Sequence, residues 1–310
     1  MSVLVHTVLP EEEGLAVRDL LTARFHISSS LRKALLRREG SLLVDGKSVF
    51  LSTRVRSGEV LTVDVSDGET ASPVVPVDFP LSVLWEDEFL LAVDKPAGIT
   101  VHGAALTEES VTVAGAAAHY LDSSAVHVVN RLDRGTTGVM LIAKSSYMHS
   151  RCTELLHTEN FRREYRAVCE GIPAPATGII DAPIGRDESS LLRRCVRADG
   201  QRAVTEYEVL AIGNSRTLLR LAPHTGRTHQ LRVHMASIGH PLSGDWLYGT
   251  EDKALIARPA LHSYLLRLTH PLTGEVIEVT APLPEDMVGL MGAPEGRHGV
   301  ISKEHTNRQT

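Results

Sequence analysis

Apolar residues recur at helical spacing twice near the start of the chain. The first set would face one side of a short helix, and the second follows three serines, Ser28–Ser30, that can cap free helix amides. The two sets are Leu15, Val17, Leu20 and Leu21, and then Leu31, Leu35 and Leu36. The pattern predicts two short amphipathic helices, of which the second ends at Gly40.

A strand, a tight turn and a second strand are predicted directly after these helices. Residues 41–50 read SLLVDGKSVF, and an Asp-Gly pair between apolar stretches is typical of a two-residue hairpin turn. After Gly58, residues 60–65 read VLTVDV, which again alternates between apolar and polar positions. Residues 1–70 are therefore predicted to form a small helix–helix–hairpin domain.

Short apolar runs of the β type dominate the chain beyond residue 83. They are LSVLWED, FLLAVDKP, AVHVVN, GVMLIAK, REYRAVCEG, VTEYEVLAI, TLLRLAP and EVIEVTAP. Helical patterns at 111–121, 145–157 and 226–238 interrupt them without regular strand–helix alternation, and no GxGxxG loop is present. The expected fold class is α+β, with a central mixed, largely antiparallel β-sheet over residues 83–290.

Two segments differ in composition from packed domains. Residues 71–82 combine prolines with polar residues and show no sustained period, so they are predicted to be a linker between the small and the large domain. Residues 291–310 contain too few apolar residues to pack and are predicted to be a disordered tail.

Length, charge and cysteine content are those of an ordinary globular protein. The 310 residues include 43% apolar ones and carry a formal charge of −6, so any nucleic-acid-binding surface must be regional. Cys152, Cys169 and Cys195 lack the paired short spacing of a zinc site and indicate reduced thiols. No signal-peptide pattern is present, and no apolar stretch approaches the roughly 18 residues of a membrane span. We therefore expect a soluble, cytoplasmic protein.

Four cations lie close together on the second predicted helix and at its end. They are Arg32, Lys33, Arg37 and Arg38. Such a cluster is often only a solvated helix face, but here a GSLLVDGK hairpin follows it. The segments SSSLRKALLRREGSLLVDGKSV and VRSGEVLTVDV together resemble an S4-type RNA-binding domain, a family that docks on structured RNA through a basic helical face. The resemblance implies that these four residues contact RNA.

The run VHVVNRLDRGTTGVMLIAKS contains a candidate catalytic carboxylate. An apolar strand leads into Asp133, which lies between two arginines, and a second apolar strand starts at Val139. Adjacent positive charge favours the ionised form of a carboxylate, which suits a nucleophile. The alternative from the residues alone is a structural aspartate that closes the turn by bonding the amide of Gly135 or Thr136.

The stretch NRLDRGTTG resembles the central motif of RluA-like RNA pseudouridine synthases, usually His-Arg-Leu-Asp, two variable residues and Thr-Ser-Gly. The resemblance places Asp133 on the catalytic carboxylate of that family, and Arg131 becomes a further candidate for RNA binding. Two positions depart from the usual form, since Asn130 replaces His and Thr137 replaces Ser. These departures affect the positioning of the site, because the carboxylate and its Arg-Leu lead-in are present.

The segment FRREYRAVCEG carries a second candidate, Tyr165, on a β-type run among three arginines. A tyrosine that alternates with apolar residues in a strand is more often a core residue. The same segment, however, is similar to the family motif in which the tyrosine lies in the active site. The resemblance implies that the ring of Tyr165 stacks on the target uracil and that its hydroxyl helps to move a proton.

The segment APHTGRTHQLRVHMASIGHPLSGDWLYG carries a third candidate. A helix is predicted from Gly226 to Ile238 with Thr225 as its cap, and Arg227 would lie on the inward face of that helix. A buried arginine requires an anionic partner, and the family motif that this segment resembles pairs its Gly-Arg arginine with the catalytic carboxylate. Arg227 is therefore predicted to pair with Asp133.

Two further features of the sequence receive no catalytic role. The segment AVDKPAGITVHG, with Lys95, resembles the first motif of the family, which is structural. His229 and His234 are five positions apart and lack the glutamate of an HExxH motif, so no metal site is expected.

Four matching segments in the same order, from Lys95 to Gly249, imply an RNA pseudouridine synthase that acts on large-subunit ribosomal RNA or, as a second choice, on tRNA. The reaction is an isomerisation within the substrate, so we expect no cofactor, and we also expect no guide RNA. Five arginines could line the RNA path or could belong to a mobile charged loop. They are Arg186, Arg193, Arg194, Arg197 and Arg202.

Two other functions are compatible with parts of the sequence. One is a non-catalytic RNA-binding or ribosome-assembly protein, against which the presence of all three candidate catalytic residues argues. The other is a hydrolase that uses a second carboxylate, Glu164, Glu170 or Asp245, together with Asp133. No motif pairs any of these with Asp133.

Overall fold

The computed structural model describes residues 2–67, 74–103, 111–123, 126–156, 158–213 and 215–291. The first part of these residues forms two helices and a four-stranded sheet in the order β1-β4-β2-β3. The elements are β1 (Val3–Thr7), α1 (Val17–Ala23), α2 (Ser29–Leu35), β2 (Leu42–Val44), β3 (Lys47–Ser48) and β4 (Val60–Asp64). The predicted helix–helix–hairpin order is present, with β1 as an edge strand that the pattern did not reveal.

Local sequence explains the turns of this N-terminal part. Ser28 caps α2, because its hydroxyl oxygen accepts a hydrogen bond from the Leu31 amide at 3.2 Å. Asp45 and Gly46 have φ values of 46° and 73°, as the predicted hairpin turn between β2 and β3 requires. These two signals were readable from the sequence because each acts within a few residues.

The end of α2 differs from the prediction. The helix stops at Leu35 instead of Gly40, and the chain continues in turns. One reason is that Arg38 points back to the sheet, where its guanidinium donates to the carbonyl oxygens of Asp64 and Ser66. Tertiary hydrogen bonds to a neighbouring strand therefore replace the last predicted turn of the helix.

The N-terminal part packs directly on the larger part. The side chain of Tyr147, from the larger part, lies in the N-terminal apolar core and donates a hydrogen bond to the Phe25 carbonyl at 2.8 Å. The Asp67 carboxylate accepts a hydrogen bond from the Ser146 amide at 3.0 Å and pairs with His127. Of the predicted linker, 71–73 lie outside the described residues, as does the predicted tail from 292 to 310.

Ten of the described strands form one sheet, whose main path is β10-β13-β14-β9-β15-β8-β6-β5, with β7 beside β8 and β16 beside β15. The first strands of the larger part are β5 (Ser82–Glu86), β6 (Leu90–Lys95), β7 (His127–Val128), β8 (Thr137–Ala143), β9 (Phe161–Glu170) and β10 (Thr177–Asp181). They are followed by β11 (Ile184–Arg186), β12 (Arg194–Val196), β13 (Val204–Ile212), β14 (Arg216–Pro223), β15 (Leu261–Thr269) and β16 (Val276–Thr280). The helices are α3 (Val113–Tyr120), α4 (Ser146–Leu155), α5 (Gln230–Ser237) and α6 (Glu285–Val288).

The expected mixed, largely antiparallel sheet is confirmed. Among the described strands of this sheet, only β8 and β15 run parallel to each other. The strand pattern had not revealed β15, which carries the polar residues His262 and Ser263 in the middle of the sheet. Both are buried and find partners there, since Ser263 donates to the Val139 carbonyl at 3.0 Å and His262 Nδ1 lies 2.8 Å from Thr137 Oγ1. Cross-strand hydrogen bonds of this kind cannot be seen in a single segment.

Gly138 permits a very close approach between β8 and β15. Its φ is +105°, and a Cβ atom at this position would lie 2.2 Å from the carbonyl oxygen of Ser263. The backbone of a central strand cannot move away easily. Gly138, the second glycine of the RLDRGTTG run, is therefore required by the packing of β8 against β15, beside the loop that carries Asp133.

We expect Gly138→Ala to lower the free energy of unfolding by about 2–4 kcal/mol, because a backbone clash adds to the strain of positive φ. Gly274 offers a matched control, since its φ is +74° but an added Cβ would meet no atom within 4 Å. Gly274→Ala should cost only about 1 kcal/mol. Urea unfolding of both variants measures the difference, and equal losses would contradict the close approach of the two strands.

Candidate active site

The loop between β7 and β8 brings Asp133 to the wall of a cavity. The backbone carbonyl of Asp133 accepts a hydrogen bond from the Thr136 amide at 3.0 Å and thereby closes the turn. The carboxylate itself lines the cavity, with 32% of the side chain exposed. The turn-closing role is thus filled by the backbone, and the carboxylate remains available to a ligand.

The cavity has a volume of about 540 Å³, within the roughly 300–1,000 Å³ typical of small-molecule sites. Its walls come from the loop before β8, from β9 and from the segment that leads into α5. Asp133 is the only aspartate or glutamate among the described residues that line it. The other carboxylates considered for a hydrolase all pair with arginines, and they are Glu164, Glu170 and Asp245. The described geometry therefore does not supply the second carboxylate of such an enzyme.

Asp133 pairs with Arg232 and not with Arg227. Arg232 Nη1 lies 3.6 Å from Asp133 Oδ2, and only 6% of the Arg232 side chain is exposed. Arg227 Nε instead donates to the carbonyl oxygen of Arg202 at 3.1 Å. The predicted pairing was wrong because α5 begins only at Gln230, so that Arg227 precedes the helix and is not on its inward face. The requirement of a buried arginine for an anion was sound, but it applied to a different arginine.

Asp245 holds Arg232 in a fixed orientation. It accepts hydrogen bonds from Arg232 Nε and Nη2, both at 2.7 Å, and is itself fully buried. This bidentate contact leaves Nη1 directed towards Asp133, and the guanidinium carbon lies 5.0 Å from the centre of the Tyr248 ring. Burial opposes the charge on Arg232, but the contact with Asp245 outweighs it and raises the pKa of the guanidinium.

His229 is a second neighbour of Asp133 that the sequence did not reveal. It caps α5 with a left-handed φ of 57°, and its Nε2 lies 3.9 Å from Asp133 Oδ2. Thr225, the predicted cap, bonds the Gln230 side chain at 2.7 Å instead. Backbone strain at a non-glycine residue is found preferentially at functional sites.

The protonation state of His229 follows from its surroundings. Burial lowers the pKa of His229 below its ordinary value, although Asp133 acts in the opposite direction, so the ring is mainly neutral at pH 7. The Tyr248 hydroxyl accepts a hydrogen bond from the Arg194 amide at 2.9 Å and is 2.8 Å from His229 Nδ1. When the hydroxyl donates to Nδ1, the ring proton of the neutral imidazole is on Nε2, which faces Asp133.

Tyr165 lines the same cavity as Asp133. It comes from the middle of β9, where it pairs in register with Leu221 and Ser263, and it is 7% exposed. Burial raises the pKa of the Tyr165 hydroxyl, although a hydrogen bond with Ser263 and the nearby Arg163 act in the opposite direction. The hydroxyl is therefore protonated near neutral pH.

The side chain of Lys95 holds the backbone of the loop that carries Asp133. Its side chain is fully buried, and Nζ donates to the carbonyl oxygens of Pro96, Arg134 and Thr136 at 2.9, 3.1 and 2.9 Å. Burial lowers the pKa of Lys95 to about 8, although the Asp133 carboxylate acts in the opposite direction. The Lys-Pro motif thus ties together the backbone on both sides of the turn that presents Asp133.

The two departures from the usual motif are accommodated differently. Thr137 bonds His262, as described above, so its hydroxyl keeps a structural partner. Asn130 is 4% exposed, and its Oδ1 accepts a hydrogen bond from the Leu141 amide at 2.8 Å. Its Nδ2 atom is buried without a partner among the described residues. Asn130 therefore connects the chain before Asp133 to β8. Its Nδ2 group is an additional hydrogen-bond donor next to the cavity that Asn130 lines.

The predicted RNA-binding residues fall into two groups. Lys33, Arg37 and Arg131 are exposed, and Arg131 lines the cavity beside Asp133. Arg32 is half-buried and donates to the Thr22 hydroxyl, while Arg38 is engaged with the strand carbonyls described above. The predicted basic surface of the N-terminal part is therefore smaller than the sequence indicated, because tertiary hydrogen bonds use two of its four cations.

The described residues contain neither a helix that could span a membrane nor a group of side chains that could hold a metal ion. No helix among them is both long enough and apolar enough to cross a membrane. No group of three histidine, cysteine or acidic side chains within the described ranges converges as a metal site would require. Both ring nitrogens of His234 are bonded, to Thr205 Oγ1 and to the Ala182 carbonyl, each at 2.9 Å.

Comparison with known proteins gives a consistent set of similarities. Residues 89–237 match the family model described as RNA pseudouridylate synthase. The chain is 38% identical to YjbO of Bacillus subtilis, named an uncharacterized RNA pseudouridine synthase, over 81% of this chain and 90% of that protein. It is 34% identical to ribosomal large subunit pseudouridine synthase D of Vibrio parahaemolyticus, over 94% of each chain. The solved structure of human RNA pseudouridylate synthase domain containing 4 is similar with a TM-score of 0.55 and 27% identity, over 67% of this chain and 90% of that one.

Proposed function

The chain belongs to the RNA pseudouridylate synthase family and is a pseudouridine synthase; from this premise we propose that it modifies large-subunit ribosomal RNA with Asp133 as catalytic carboxylate. The name of the Vibrio relative supports this choice of RNA. The observation that carries the proposal for Asp133 is its position, since it is the only carboxylate among the described residues around the cavity and lies against a buried arginine.

The chemistry of the reaction fits a site with a single carboxylate. The bond between N1 of uracil and C1′ of ribose breaks, a new bond joins C5 to C1′, the proton on C5 is lost, and N1 gains a proton. The Asp133 carboxylate can assist by attack at C1′, by attack at C6 or by removal of a sugar proton. For each of these routes the charge of Arg232, whose Nη1 lies 3.6 Å from Asp133 Oδ2, stabilises the carboxylate, and His229 Nε2 lies 3.9 Å from the same oxygen.

The target uridine must leave its stack to reach this cavity, which costs a few kcal/mol. Apolar side chains line part of the wall around Asp133 and offer the uracil ring an apolar surface. They include Val101, Leu132, Tyr165, Leu231 and Leu261. Stacking of a base on an aromatic ring contributes roughly 1–3 kcal/mol. Tyr165 would therefore offset much of the cost of extracting the nucleotide.

The N-terminal part is proposed to act as an S4-like RNA-binding domain of a cytoplasmic enzyme that needs neither a guide RNA nor a cofactor. Its exposed Lys33 and Arg37 are available for phosphate contacts. Such contacts release counterions from the RNA, so binding through this surface should weaken steeply with added salt.

The proposed substrate is tested with RNA that carries tritium at C5 of uridine, because formation of the new C5–C1′ bond releases that tritium to water. We expect the purified protein to release tritium from protein-free large-subunit ribosomal RNA and not from bulk tRNA. Release from tRNA alone would contradict the choice of RNA. No release from either would favour a non-catalytic RNA-binding or assembly protein.

Tyr165→Phe separates the two proposed roles of this residue. We expect RNA affinity to stay within about twofold of wild type, because the ring can still stack. The rate constant kcat should fall by about 10- to 100-fold, because a protonated hydroxyl has been removed from the cavity. Tritium release with RNA in excess measures kcat, and an unchanged value would show that the ring alone matters.

A further inference from the structure

A second cavity adjoins the one that contains Asp133. It has a volume of about 310 Å³ and shares two lining residues, Arg227 and Thr228, with the first. Its other walls come from the β11–β12 hairpin and the turn that follows it. The hairpin packs against α5 through Ile184 and Val233, so the cavity belongs to the folded body.

Three arginines converge on this second cavity. Arg186 and Arg194 are directly opposed in the register of the hairpin, and Arg227 lies across from them. Like charges gathered in one place repel each other unless an anion is bound between them. The side chain of Arg186 makes no hydrogen bond or ion pair with the described residues, since the contacts of this residue with Cys195 and Arg197 use its backbone carbonyl.

The one carboxylate in the described lining does not neutralise these arginines. Asp199 is held by Arg197, whose Nε and Nη2 donate to its two oxygens at 2.5 and 2.8 Å. Arg197 also pairs with Glu188 at 3.0 Å, so this arginine is compensated within the hairpin. The cavity therefore keeps an excess of positive charge on a protein whose formal net charge is −6.

We infer that this cavity binds a backbone phosphate of the RNA next to the target uridine, an inference that rests on the proposed function. Guanidinium groups match the geometry of phosphate oxygens and can bind them with two hydrogen bonds. Because the two cavities share Arg227 and Thr228, a phosphate in the second one lies along the strand from a nucleotide in the first. The hairpin is also connected to the first cavity, since the Arg194 amide bonds Tyr248, which bonds His229 beside Asp133.

The test compares Arg186→Gln/Arg194→Gln with Arg162→Gln/Arg267→Gln in an Asp133→Asn background, in which bound RNA is not converted. Arg162 and Arg267 are exposed and line neither cavity, so this control loses the same two charges. We expect the double variant to bind ribosomal RNA at least tenfold more weakly than the control in 0.1 M salt. The slope of log affinity against log salt should become shallower by about 0.7–1.4, which corresponds to one or two lost phosphate contacts. Arg186→Lys/Arg194→Lys keeps the charge and should retain most of the slope.

Failure of this inference and failure of the proposed function give different results. Equal affinity and equal salt dependence in the double variant and the control would overturn the phosphate site, whether or not the wild-type protein releases tritium. Tritium release absent from the wild-type protein would overturn the function without affecting the binding comparison. If the double variant unfolds at a lower urea concentration than the control, Arg186→Gln alone serves, since its side chain holds no described partner, and it should show about half of the change in slope.

Discussion

Asp133→Asn should abolish tritium release, with a fall in kcat of at least about 10⁴-fold, as is found when a residue that acts directly on the reacting atoms is removed. The amide has nearly the same shape but is neither a nucleophile nor a base. Because the side chain is 32% exposed and the turn is closed by the backbone, the fold should tolerate the change. Near-native RNA binding together with lost turnover would be the signature of a catalytic role.

The measurement combines tritium release with RNA in excess, which gives kcat, with RNA binding and urea unfolding of the same protein. Asp122→Asn is a suitable control, since it also neutralises an aspartate but is exposed and lines neither cavity. Activity of Asp133→Asn within tenfold of wild type would refute the assignment of the catalytic carboxylate.

Arg232→Gln is expected to lower kcat by at least about 100-fold, a loss typical of removing one preorganised charge from an active site. It should also lower the free energy of unfolding by about 3–5 kcal/mol, because the charge of the buried Asp245 would be left without its cationic partner. Arg227→Gln should weaken RNA binding, because Arg227 lines the proposed phosphate site, but it should leave kcat within a few-fold of wild type, since Arg227 does not contact Asp133. The pair of variants thus compares two arginines of one segment that differ in their contacts.

The loss of stability and the loss of activity can be separated by a second substitution. In Arg232→Gln/Asp245→Asn no buried charge is left unpaired, so most of the stability should return. Activity should not return, because Asp133 still lacks its cationic neighbour. Recovery of kcat with stability would show that Arg232 acts only through the fold, and a larger loss of kcat in Arg227→Gln would restore the pairing predicted from sequence.

The wrong prediction that Arg227 pairs with Asp133 shows what a hydrophobic pattern cannot determine. The helix in this segment was predicted to start after Thr225, but α5 starts at Gln230 after a left-handed His229. The residues before Gln230 are therefore not helical, so helical spacing does not tell which of them face inwards. A signal for Arg232 was nevertheless present, because this arginine lies between apolar residues in the run QLRVHM and so required a buried anion.

The sequence by itself determined the features that depend on neighbouring residues or on resemblance. The serine cap of α2, the Asp-Gly turn and most strands of the sheet follow from local preferences and alternation. The family, and the expectation that Asp133 and Tyr165 share one site, came from short motifs whose residues stand in a recognisable order. Such signals can be read from the sequence because each is contained in about ten residues.

Only the tertiary structure decided which charged groups meet. Arg232 finds Asp245 and Asp133, Arg38 finds the carbonyls of a strand, and the arginines of the β11–β12 hairpin gather beside Arg227. Each of these contacts joins segments that are separated in the chain, and a long charged side chain can reach several partners in different packings. Which partner is reached depends on where burial leaves a charge uncompensated, and burial is a property of the whole fold.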